Sequence, residues 1–254
     1  MHGLLLAFQF FTVVPIRKEL PMGKKQITMM FGSLPLIGLF IGAIMSITYF
    51  ISTSVLAFSP LLTAIFLVLT GLIMTGGLHI DGWADTADAF FSYQSIEKRH
   101  EILEDPRLGA FGTMALIVMI ITKIGLIYES ILQGLPIIPL VLLIPFLTRI
   151  GFNIVFAITP PAKETGLGAF FKARLHARHL VILSGCWLAV LAVMGIMFTG
   201  QTIVILALIV IMLLSVFCFR SWTCTHFGGM SGDVSGAYIE GMEVVLWLTL
   251  LCLL

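Results

Sequence analysis

From Leu61 to Ile80 the chain runs for 20 residues without an Asp, Glu, Lys or Arg, which is the length an α-helix needs to cross about 30 Å of hydrocarbon. The pattern recurs at Ile27–Ile51, Ala110 to about Tyr128, Leu135–Ile158, Leu180–Thr199 and Thr202–Phe219, interrupted only by Lys123 and Arg149. In lipid every backbone N–H and C=O must find its partner inside the segment, so runs of this length read as helices. With 59% hydrophobic and 11% charged residues and a mean hydropathy of +1.10, little sequence is left for a soluble unit. The expected fold is an all-α, polytopic membrane bundle of about six to seven transmembrane helices with additional interfacial helices, built as one membrane-embedded domain over residues 1–254.

The segments between these runs are also informative. Residues 2–16 are apolar but too few to span, and their positive charges follow rather than precede them, so they read as an interfacial or re-entrant segment and not as a cleavable leader. Gln94–Leu108 is the most charged part of the chain. It is expected to form an interfacial helix with Ser95 as N-cap, stopping near Asp105 because Pro106 disfavours helical geometry in the residue before it. A seventh span would have to start near Ala237 and accommodate Glu240 and Glu243. Gly32, Gly38 and Gly42 offer close helix approach in the first span, with a tight turn expected at Gly200. Cys186, Cys218, Cys224 and Cys252 have no CxxC or Cys/His spacing, which argues against a disulfide framework or a zinc site.

Charge is distributed unevenly. Twelve of the fourteen Lys and Arg residues fall in the N-terminal segment and the loops at 77–109, 159–179 and 220–240, and the alternate loops contain none. Under the positive-inside rule these basic segments face the cytoplasm. A net charge of +1 without a basic run gives no reason to expect nucleic acid as a partner. The expected partners are small-molecule substrates and the lipid bilayer, and a homo-oligomer is compatible with the sequence.

The stretch GGLHIDGWADTADAF, Gly76 to Phe90, places Asp81, Asp85 and Asp88 at i, i+4 and i+7, within an arc of roughly 60° on a helix. Three carboxylates on one stripe repel one another unless a cation or proton relieves them. Oxygen-only ligands suit magnesium, which completes its octahedron with water and substrate phosphates. Asp233 lies in a second motif, GGMSGDVSGA, whose glycines allow close backbone approach to a phosphate or another helix. Arg107, Arg149, Lys163, Lys172, Arg174 and Arg178 are cations suited to phosphate. Lys123 is expected to reach the outer headgroups with no functional role. His79 points off the aspartate stripe and reads as a hydrogen-bonded packing residue rather than a metal ligand.

These residues, with QFFTVVP at Gln9–Pro15, EILEDPRLGAFG at Glu101–Gly112, GLG at Gly166–Gly168 and GGMSGDVSGAYIE at Gly228–Glu240, resemble the cobalamin synthase, or adenosylcobinamide-GDP ribazoletransferase, family in the same order along nearly the whole chain. The HxDGxxDxxDA core is the specific part. The resemblance implies a magnesium-dependent integral enzyme of the cytoplasmic membrane, its active site facing the cytoplasm. Such an enzyme joins α-ribazole or its 5′-phosphate to adenosylcobinamide-GDP, releasing GMP and giving adenosylcobalamin or its 5′-phosphate. It places Asp81, Asp85, Asp88, Asp105 and Asp233 in acidic motifs as candidate metal ligands. Asp88, with Asp105 as second choice, is the candidate base toward the 5′-hydroxyl of α-ribazole. His79, Arg107, Arg149 and Lys163 are the substrate-binding candidates, the last three for the diphosphate. A CDP-alcohol phosphatidyltransferase is the alternative, with a partial match through Asp81-Gly82 and Ala84. A cation-coupled transporter is the more distant one, because transporters hold their acids near the bilayer midplane.

Overall fold

A computed structural model describes residues 2–198 and 202–253, so the turn expected at Gly200 lies outside the described residues. The described residues form twelve α-helices: α1 (His2–Phe11), α2 (Lys24–Gly32), α3 (Leu34–Phe50), α4 (Pro60–Thr75), α5 (Leu78–Phe91), α6 (Ile96–Glu104), α7 (Ala110–Leu132), α8 (Ile137–Ile158), α9 (Gly166–Ala173), α10 (Ala177–Phe198), α11 (Thr202–Phe227) and α12 (Gly232–Leu253). Six units among the described residues are long and apolar enough to cross a membrane: Lys24–Val55, α7, α8, the Ala177–Met194 part of α10, α11 and α12. Helix α8 is the central one, with 72% of its apolar window buried against 11% for α10. Its closest neighbour is α3, where Gly38 and Gly42 bring the backbone onto Pro145 and Val141, as the glycine spacing anticipated.

The second span departs from expectation. It does not continue to Ile80 but stops at Thr75, and the chain turns by 92° into α5. Gly76 and Gly77 take positive φ, 63° and 75°, which costs a residue with a Cβ far more than glycine. Their amides bond back to Ile73 O and Leu72 O, each at 3.0 Å, ending α4 in a Schellman-type cap. The aspartate helix therefore runs across the bundle instead of extending a span.

Small residues then let α5 sit deep. Gly82, Ala84, Ala87 and Ala89 are buried on it, and a Cβ on Gly82 would lie 2.6 Å from Asp233 O of α12. From the opposite helix, a Cβ on Gly236 would lie 2.7 Å from His79 O. On the other side of α5, Gly112 of α7 faces Ala84 O, with its Cβ position 2.8 Å away. The two helices that carry acids thus meet backbone to backbone.

Gly236→Ala should therefore force α12 off α5, costing about 1–3 kcal/mol as overpacking and separating Asp233 from the α5 aspartates. Gly241→Ala, whose Cβ would meet Trp83 at an ordinary 3.5 Å, should be tolerated. Thermal unfolding of both purified variants beside the wild type is the check, and equal midpoints would refute the close-packing argument.

Helix α6 forms as anticipated: Ser95 Oγ accepts from Lys98 N, and the helix ends at Asp105 with extended backbone before Pro106. Arg99 and His100 tie it to the last carbonyls of α11, His226 O at 2.8 Å and Phe227 O at 2.9 Å. The last segment spans from Gly232, five residues before the expected start near Ala237. Glu240 and Glu243 are accommodated within it because Lys123 of α7 pairs with both, at 2.5 and 2.8 Å, and Arg149 of α8 pairs with Glu243 at 2.5 Å. Lys123 accordingly does not reach outward to headgroups; it is buried in the bundle.

Candidate active site

Asp81 is exposed on α5, and Asp85 and Asp88 are half-buried one and two turns further on. Asp233 enters from the first turn of α12. Its position is set by the turn before it, where Met230 N donates to Pro160 O at 2.8 Å and Ala162 N to Met230 O at 3.1 Å. Ser231 Oγ accepts from Val234 N at 3.1 Å and caps the helix. Burial first, and then the charges of Asp81, Asp233 and Asp88, push the Asp85 carboxyl up to about 6. Four acids from two helices therefore share one field at Asp85.

Asp88 has a second contact. Its Oδ1 accepts from Gly112 N at 3.1 Å, satisfying one of the free amides at the start of α7. Lys163, Asp105, Arg107 and Arg149 fall into three places. Lys163 lines a polar cavity together with Gly166, Gly168, Ser231, Gly232 and Asp233, and it bonds to Glu104 at 2.5 Å. Asp105 and Arg107 hold each other on an exposed loop through contacts of 2.9 and 2.6 Å. Those bonds draw the Asp105 carboxyl down to about 2, and Asp105 is not among the charges acting on Asp85. Arg149 lies against Glu243 in a separate cavity inside the bundle, lined also by Lys123, Glu240 and Thr75. Among the described residues no three His, Cys, Asp or Glu side chains form a ready-made metal site.

His79 differs from the hydrogen-bonded packing residue expected. It is 4% exposed, and among the described residues neither ring nitrogen has a partner. Burial, and then Arg149, hold its imidazole down at about 3, so the ring is neutral. It lines a second cavity together with Asp81, Asp233 and several aromatic side chains. The two cavities share Leu167, Gly168, Gly232 and Asp233. Lysine and backbone amides can hold phosphate in the first, carboxylates at the junction can hold a hard cation and accept a proton, and the second can take an apolar ring.

Sequence reasoning missed the Lys123–Glu240–Glu243–Arg149 network, although the two cations and two acids inside apolar runs were its signal.

The family model described as "Cobalamin-5-phosphate synthase" matches residues 3–251. A relative from Geobacillus sp. (strain WCH70), named adenosylcobinamide-GDP ribazoletransferase, is 37% identical over 248 residues, covering 96% of this chain and 93% of the relative. Proteins of the same name from Clostridium tetani, 31% identical over 100% of this chain and 98% of the relative, and Treponema denticola, 30% identical over 97% and 96%, are also similar. No solved structure matches. These matches support neither the phosphatidyltransferase nor the transporter alternative. With matched sequence running through both acidic motifs and all six long apolar helices, the chain belongs to the cobalamin-5-phosphate synthase family.

Proposed function

We propose that this protein joins α-ribazole or its 5′-phosphate to adenosylcobinamide-GDP, releasing GMP and forming adenosylcobalamin or its 5′-phosphate. The observation that carries the proposal is the pair of adjoining cavities, one polar and one aromatic, meeting at Asp233 beside the α5 aspartates. The polar cavity, with Lys163 and the backbone of Gly166–Gly168 and Ser231–Gly232, suits the diphosphate and the departing GMP.

The residues fit magnesium. The shared acidic field that raises Asp85 is the strain a hard cation relieves, and magnesium takes one or two carboxylates and leaves its other positions to water and phosphate. One or two of Asp81, Asp85 and Asp233 would hold it, with Asp88 as an adjoining carboxylate. Bound there, it supplies neutralisation of charge on the transferring and leaving oxygens.

A hydroxyl of the acceptor ribose attacks the phosphorus on the cobinamide side of the diphosphate, the bond to the GMP oxygen breaks, and the hydroxyl proton passes to a carboxylate. Asp88 is proposed as that base. The product made from the 5′-phosphate form keeps that phosphate, so the attacking oxygen is a secondary ribose hydroxyl and not the 5′-oxygen expected from the sequence. Asp105 and Arg107, bound to each other on the loop, have no part in this step. Arg149, paired with Glu243 inside the bundle, is given no role on the diphosphate in this proposal. The basic loops favour a cytoplasmic-membrane protein with this site on the cytoplasmic side.

Purified protein in detergent, given adenosylcobinamide-GDP, α-ribazole and magnesium, is expected to release GMP and corrinoid product one for one. The reaction should stop when a chelator removes the metal. GMP release that is independent of α-ribazole would overturn the proposal.

A further inference from the structure

The aromatic cavity has more structure than an apolar gap requires. Phe10, Phe11, Phe31, Phe152, Phe156 and Phe171 line it, supplied by α1, α2, α8 and α9. Phe31 stacks on Phe156 at 4.7 Å with planes 12° apart, and meets Phe171 edge-on at 5.6 Å. Such a cage is rigid and presents flat faces, the surroundings that aromatic rings prefer. Its polar side chains are His79, Asp81, Asp233 and Ser235.

His79 is the unusual member. The residue is 4% exposed, yet Nδ1 and Nε2 both lack a hydrogen-bond partner among the described residues. A buried donor and acceptor left unmatched are costly and uncommon, so they call for an explanation. An acyl chain would fill the cavity without bonding the imidazole, and it would have no use for the carboxylates. A planar base carrying one unsubstituted ring nitrogen would satisfy the imidazole, because a neutral histidine donates one N–H and that nitrogen accepts it.

Resting on the reaction proposed above, we infer that this cavity is the subsite for the benzimidazole base of the acceptor nucleoside. The base lies among the phenylalanines, its free ring nitrogen accepts a hydrogen bond from the His79 imidazole, and its ribose is turned toward Asp81 and Asp233. The methyl groups of the base lie against phenylalanine, and the acceptor hydroxyl is delivered to the cluster that takes its proton. His79 thereby reads the base and takes no part in phosphoryl transfer.

The test compares two acceptors in the full-length protein with adenosylcobinamide-GDP and magnesium: α-ribazole, and the ribazole analogue whose free ring nitrogen is replaced by C–H. Wild type should favour α-ribazole by about tenfold in kcat/KM, the scale of one matched hydrogen bond in a buried site. His79→Ala should lose that preference through a raised KM for α-ribazole, with KM for adenosylcobinamide-GDP unchanged. His79→Gln, whose amide can donate, should keep part of it. Wild type that uses both acceptors equally, or variants that retain the full preference, would overturn the inference while the proposed reaction stands. Added phospholipid that competes equally against both acceptors would assign the cavity to an acyl chain and also overturn it. Wild type that releases no GMP with α-ribazole would instead sink the reaction itself. The analogue comparison in wild type stands even if the variants fail to fold.

Discussion

Asp81→Asn is expected to lose turnover by about 10³-fold or more, the scale on which preorganised electrostatic and metal contributions to phosphoryl transfer act, while leaving the fold intact. The side chain is exposed at the first turn of α5, and isosteric surface changes of this kind stay within about 0.5 kcal/mol. Stability should rise in metal-free protein, because Asp81 is the strongest of the charges that raise Asp85. Removing it relieves that repulsion but also removes an oxygen from the proposed cation site. Opposite signs for stability and activity in one variant are what a functional carboxylate cluster predicts. The measurement is a thermal midpoint beside a GMP-release rate on the same preparation. Near-normal turnover would remove Asp81 from the site.

The second large effect lies in the interior. Glu243→Leu leaves Arg149 buried without its carboxylate, and leaves Lys123 with Glu240 alone. Breaking a buried pair by removing one partner costs about 3–5 kcal/mol, because the remaining charge stays away from water. The double variant Arg149→Met with Glu243→Leu should recover most of that loss, since removing both charges also removes the cost of burying them. A large single-variant drop in thermal midpoint with recovery in the double variant is the expected pattern. Additive losses would show that the two residues do not act as a pair. The network joins α7, α8 and α12, and α12 carries Asp233 in its first turn, so the same single variant should also lower activity.

Much of this arrangement is legible along the chain. Length and polarity place the long helices, because in hydrocarbon no other structure satisfies the backbone of an uninterrupted apolar run. Ser95 and Pro106 mark the ends of α6, since capping and proline geometry are local. The aspartate stripe follows from helical periodicity alone. His79, by contrast, is misread because periodicity says only that it leaves the stripe; whether its nitrogens find partners depends on which helices cover it. Lys123 is misread in the same way, since its carboxylates come from 117 and 120 residues further along.

The sequence by itself therefore determined the membrane class, the identity of the acidic motifs and the asymmetry of charge, all of which rest on spacing, composition and local backbone chemistry. Only the tertiary structure decided that α5 turns across the bundle after Gly76 and Gly77, that Asp233 joins the α5 aspartates while Asp105 is taken up by Arg107, and that a histidine without a hydrogen-bond partner among the described residues lines an aromatic cavity. The physical reason is that charge and hydrogen-bond satisfaction depend on distance in space, and residues of α1, α2, α5, α8, α9 and α12 become neighbours only when the bundle closes.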